Sequence, residues 1–114
     1  MKFTNKNQAL AYINDNLTMI STVGQLAEEA AELAQAALKL QRICLDENPT
    51  PVTERDAIHN LFEELGDVLC CVDALNYPYC FEGRSIAEKN AEEKALRWAD
   101  RIKAREEKEA ADGE

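Results

Sequence analysis

Residues 60–75 read NLFEELGDVLCCVDAL, an apolar run that nevertheless carries three carboxylates within EELGD at 63–67. Apolar side chains at Ile58, Leu61, Leu65, Val68, Val72 and Leu75 recur at three- and four-residue steps, the period of an amphipathic helix and not of a strand. A near copy of the acidic motif, EEAAE at 28–32, sits in a second run of the same kind, Val23, Leu26, Ala30, Leu33, Ala37 and Leu40. That spacing predicts a helix from near Thr22 to near Cys44. Between the two lies LDENPTPVTERD, in which Pro49 and Pro51 stop the first helix and Thr53 supplies an N-cap oxygen for the next.

Working outward, a first amphipathic segment from about Asn5 to Asn16 uses Leu10 and Ile13, with Leu17 just beyond, before the chain stalls in NLTMIST. It is expected to act as a packing helix or lid. The EELGD helix breaks near Tyr77, where YPYCFEG brings Pro78 and Gly83, and SIAE at 85–88 is a capping-box pattern opening a fourth helix to about Lys108. A chain of 114 residues with 46% hydrophobic and 31% charged content, four Gly and three Pro fits one all-α domain over residues 1–108. The predicted architecture is an antiparallel helical bundle of four main helices, followed by an acidic, disordered tail at 109–114.

The net charge of −9 argues against nucleic acid or an anionic membrane as partner. No apolar stretch approaches the length of a membrane span, and MKFTNKNQAL lacks the pattern of a signal peptide. A soluble, cytoplasmic protein is expected. Cys44, Cys70, Cys71 and Cys80 form no CxxC pair and are expected to be reduced and mostly packed. His59 is the only histidine, which leaves little support for a His-based centre.

On a helical wheel Glu29 and Glu32 fall at about 65° and about 125° from the centre of their apolar stripe, and Glu64 and Asp67 at about the same two offsets on theirs. If the stripes face one another antiparallel, the four carboxylates converge on one edge of the interface. Such a cluster repels itself unless protons or cations neutralise it, and an all-oxygen set suits Mg²⁺, with Mn²⁺ as a substitute. Acidic residues on solvated helix faces are the ordinary alternative, but matched spacing and matched offsets favour a shared metal site. Glu28 and Glu63 point farther out, as outer members of the site or as surface residues.

In the fourth helix Asn90, Lys94, Arg97 and Arg101 lie within about 60° of one another and make a basic ridge. Ala87, Ala91, Ala95, Trp98 and Ile102 form the adjoining apolar stripe. Lys94 and Arg97 are the candidate phosphate contacts, with Asn90 beside them and Lys89 and Arg101 weaker candidates. Ion pairing with Glu93 or Glu106 is the plainer alternative.

EEAAE followed by EELGD resembles the EExxE and ExxD signature of the all-α, MazG-like nucleoside triphosphate pyrophosphohydrolases, and KNAEEKALRW at 89–98 is similar to their Lys, Asn and Arg set. The resemblance covers most of the chain. It implies that Glu29, Glu32, Glu64 and Asp67 bind Mg²⁺ at the catalytic centre, and that a nucleoside triphosphate is cleaved between its α- and β-phosphates. Asn90, Lys94 and Arg97 would be the substrate-binding set. It also implies a homodimer or homotetramer with sites at subunit contacts, which the four apolar stripes of so short a chain also favour. A phosphoribosyl-ATP pyrophosphohydrolase or a dUTPase-like enzyme fits the same signature, and a non-catalytic helical dimerisation module explains the amphipathicity alone. Trp98, Tyr77, Tyr79 and Phe81 are candidates for stacking on a base. Relatives that place an aromatic one turn after the ExxD aspartate differ from this chain, which has Cys70 and Cys71 there. Base preference therefore stays open, with pyrimidine or adenine deoxynucleotides ranked first.

Overall fold

The computed structural model describes residues 2–77 and 82–113, and within them every regular element is a helix: α1 (Lys6–Asn16), α2 (Met19–Leu45), α3 (Glu54–Asn76) and α4 (Glu82–Asp112). The chain divides into two compact units, residues 1–80 and 81–114.

In the first unit each helix starts on a side-chain cap. Asn5 accepts from the Gln8 N–H, Thr18 from Ser21 and Thr53 from Asp56, each at 3.1 Å. These caps satisfy amide groups that a helix start leaves without intrahelical partners. With Thr18 as its cap, α2 starts at Met19, three residues before the position its apolar stripe predicts, so TMIS within the NLTMIST stretch is a cap and a first turn and not a stalled linker. At the other end Asp46 adopts the left-handed conformation, φ 51°, and its N–H bonds the Arg42 carbonyl. The prolines then carry the chain round to Thr53.

Helices α2 and α3 form an antiparallel hairpin. Thr22 meets Ala74 in one hollow, while Glu29 and Glu32 meet Glu64 and Asp67 farther along, so the residue order on α3 runs opposite to that on α2. The seam is not centred where the apolar stripes predict. The inward row of α2 is Thr22, Leu26, Glu29, Leu33, Ala36 and Leu40, all buried or half-buried, whereas Val23 is 44% exposed and Ala30 and Ala37 face solvent. On α3 the corresponding row is Ala57, Leu61, Glu64, Val68, Cys71 and Leu75, with Ile58 exposed. Both rows alternate four- and three-residue steps, the spacing of side-by-side helices that pack as in a coiled coil. The most buried members, Ala36, Ala57, Cys71 and Ala74, are small, which lets two backbones approach closely.

Helix α1 docks on α3 through buried Leu10, a 2.6 Å ion pair from Lys6 Nζ to Asp73 Oδ2, and the Asn14 amide. In the second unit, α4 has no buried residue. Its predicted packing stripe is open, with Trp98 59% and Ile102 41% exposed. The helix begins at Glu82, a turn before the SIAE pattern, and continues to Asp112, past the expected end near Lys108. No helix among the described residues is long and apolar enough to cross a membrane.

Candidate metal centre

Because the seam is rotated from the apolar stripes, Glu29 and Glu64 occupy inward positions on the hairpin, flanked by the more exposed Glu32 and Asp67. Each of the four offers a carboxylate oxygen, and these oxygens all lie within 4.8 Å of one another. The four metal-ligand candidates named by the sequence are thus brought to one point. Two carboxylates at a helix–helix seam are costly unless something satisfies them.

The hydrogen bonding shows how far the protein goes towards doing so. Gln25 Nε2 donates to Glu29 Oε1 at 2.9 Å, yet Glu29 Oε2 and Glu64 Oε2 are both buried without a protein partner. Buried polar atoms are nearly always paired, and two orphaned carboxylate oxygens within one acidic cluster call for protons or a cation. The electrostatics agree. The negative charge of Glu29, then that of Glu64, pushes the Glu32 carboxyl above its ordinary value, helped by desolvation and by the hydrogen bonds that only its protonated form can donate to the same two residues. A proton or a divalent ion relieves the same repulsion. An all-carboxylate oxygen set with inward-facing orphan atoms fits a hard cation such as Mg²⁺ or Mn²⁺.

The neighbours of the cluster divide cleanly. Glu63 turns outward and pairs with His59, one turn earlier on α3 and itself exposed. Glu28 is exposed and outside the convergent set. Gln25, which sequence reasoning did not single out, holds Glu29 from the preceding turn; its signal was an i, i+4 position, a spacing common on any helix. Cys71 is buried, and its thiol is pushed up by burial first, then by Cys70, Glu29 and Asp67. That environment keeps it a protonated packing group. Cys44 and Cys70 are exposed, which corrects the expectation of mostly packed thiols, and Cys80 lies outside the described residues.

On α4, Asn90, Lys94, Arg97 and Arg101 are all exposed and share one ridge of the helix. Among the aromatic candidates, Trp98 is a surface residue and not core, Tyr77 is exposed at the end of α3, and Tyr79 and Phe81 lie outside the described residues. Comparison of the chain with protein families, with curated proteins and with solved structures finds no match.

Proposed function

We propose that this chain is a Mg²⁺-dependent nucleoside triphosphate pyrophosphohydrolase, releasing a nucleoside monophosphate and pyrophosphate. The observation that carries the proposal is the convergence of Glu29, Glu32, Glu64 and Asp67 with two buried, partnerless oxygens among them. The likeness of EEAAE, EELGD and KNAEEKALRW to the MazG-like signature supplies the reaction.

Glu29 and Glu64 would hold the ion from their inward positions, and Glu32 and Asp67 from the more exposed ones. When bound, Mg²⁺ supplies charge for the phosphate oxygens and for the departing pyrophosphate. Gln25 keeps Glu29 oriented so that Oε2 stays turned into the cluster. The attacking water adds to the α-phosphorus as the bond to the bridging oxygen breaks, and its proton passes to a carboxylate of the cluster. Glu32 and Asp67 are the members exposed enough to take it and return it to solvent. On the resemblance, Lys94 and Arg97, with Asn90 beside them, would be the cationic and amide donors for the phosphates. No side chain is needed as a covalent nucleophile.

A second reading is favoured by a specific observation: Ile58, Phe62 and Leu69 form an exposed apolar row on α3, and Ile20, Leu38 and Leu45 another on α2. Surfaces of this kind mark association, and we propose that the chain works as a homodimer or homotetramer. A purely structural helical module would use the same rows without the acids. A screen of common nucleoside triphosphates with Mg²⁺, detecting pyrophosphate separately from single phosphate, decides between them. Pyrophosphate release that disappears in Asp67→Asn supports the enzyme. No release from any triphosphate, together with a stable oligomer, leaves the module.

A further inference from the structure

The two carboxylates at inward positions of the hairpin are held differently. One turn before Glu29 on α2 stands Gln25, whose Nε2 donates to Glu29 Oε1 at 2.9 Å. A carboxylate oxygen only accepts, so the end of the Gln25 amide that meets it is the nitrogen. One turn before Glu64 on α3 stands Asn60, a side chain one methylene shorter. It leaves Glu64 Oε2 without a partner. Glu29 is therefore tethered by an amide, and its counterpart on α3 has no equivalent bond to that oxygen.

The direction of the tether decides what Glu29 can offer. Gln25 and Glu32 lie on opposite sides of Glu29 along α2. The bond draws Oε1 back towards the preceding turn, away from the point on which Glu32, Glu64 and Asp67 converge with Glu29. Oε2, buried and unpartnered, is the oxygen left for an ion. To present both oxygens, the carboxylate would have to turn and give up its bond to Gln25.

Cations differ in what they ask of a carboxylate. Mg²⁺, and Mn²⁺ with it, takes an octahedral set of about six oxygens at short distances, whereas Ca²⁺ takes about six to eight at longer ones and commonly accepts both oxygens of one carboxylate. We propose that Gln25 sets the ion preference of the centre: by keeping Glu29 to a one-oxygen contact, it favours Mg²⁺ and Mn²⁺ over Ca²⁺. The proposal rests on the metal-centre reading and is independent of the reaction the ion serves. Gln25 acts through Glu29 and is a positioning residue. Its side chain is exposed, so exchanging it leaves the packing of the seam in place.

Gln25→Met keeps the length of the side chain and removes the donor. In the full-length protein, without substrate, the electron paramagnetic resonance of free Mn²⁺ gives the Mn²⁺ affinity directly and the Ca²⁺ affinity by competition. The variant should keep the circular dichroism of wild type and lower the ratio of Mn²⁺ to Ca²⁺ affinity by about three- to tenfold, within the worth of one hydrogen bond. A residue that merely stiffened α2 would shift both affinities alike. An equal loss for the two ions, or a ratio that is unchanged or higher, would overturn the proposal and leave the metal centre standing. Wild-type protein that takes up no Mn²⁺ would remove the centre and the proposal together.

Discussion

Glu32 is the residue at which the energetics of the site are most exposed to measurement. Its carboxyl is raised by Glu29 and Glu64, so between the ordinary value of 4.5 and the raised folded value the native chain binds more protons than the unfolded one. Metal-free stability should therefore fall as pH rises through that window. Urea unfolding across the window should show this slope in wild type and a flatter one in Glu32→Gln, and equal slopes would show that the repulsion is not felt there. The same variant, or Asp67→Asn, should lose pyrophosphate release by two orders of magnitude or more while matching or exceeding wild-type stability without metal. Wild-type turnover in either variant would take these carboxylates out of the reaction. On α4, Lys94→Ala and Arg97→Ala should raise KM more than they lower kcat if these groups bind phosphate equally in ground and transition states.

At the scale of single elements, local chemistry was legible where one side chain decides the outcome. Thr53 was identifiable as a cap because it follows Pro51 and precedes an apolar-periodic run, and its hydroxyl accepts from Asp56 N–H as that position requires. Thr53→Ala should cost about 1 kcal/mol in denaturant unfolding; no loss would mean that the turn holds the helix start by itself. Thr18 is not legible as a cap in the sequence, because its neighbours Met19, Ile20 and Ser21 dilute the helical pattern. The acidic cluster was legible because 29, 32, 64 and 67 repeat one spacing on two helices. Its depth was not. Apolarity centred the stripes near Ala37 on α2 and between Leu61 and Val72 on α3, but packing chose Ala36, Ala57, Cys71 and Ala74, small residues that carry little apolar signal yet permit closer helix contact. That rotation moves Glu29 and Glu64 inward and leaves Val23 and Ile58 outside. Gly24, within α2, has nothing near the place a Cβ would take. Gly24→Ala should add about 0.5–1 kcal/mol; destabilisation would mean that another chain packs against that face.

For the molecule as a whole, the buried apolar residues of the first unit are few and mostly small, while Phe62, Leu38, Leu45 and Ile20 stay 60% or more exposed. A chain that leaves such rows uncovered should associate, and light scattering at micromolar concentration should report a dimer or larger; a stable monomer would contradict this. The stripe on α4 is apolar, yet Trp98 and Ile102 are at the surface, because periodicity identifies a face without saying what covers it. The central claim concerns the hairpin alone: two facing helices hold four carboxylates where one hard cation satisfies them all. Titrating Mn²⁺ into the intact protein and following the free ion by electron paramagnetic resonance tests it directly. The account predicts saturable uptake that Mg²⁺ displaces and that weakens at least about tenfold in Asp67→Asn. Wild-type protein that takes up no Mn²⁺ at millimolar concentration, or a variant that binds it equally well, would contradict it.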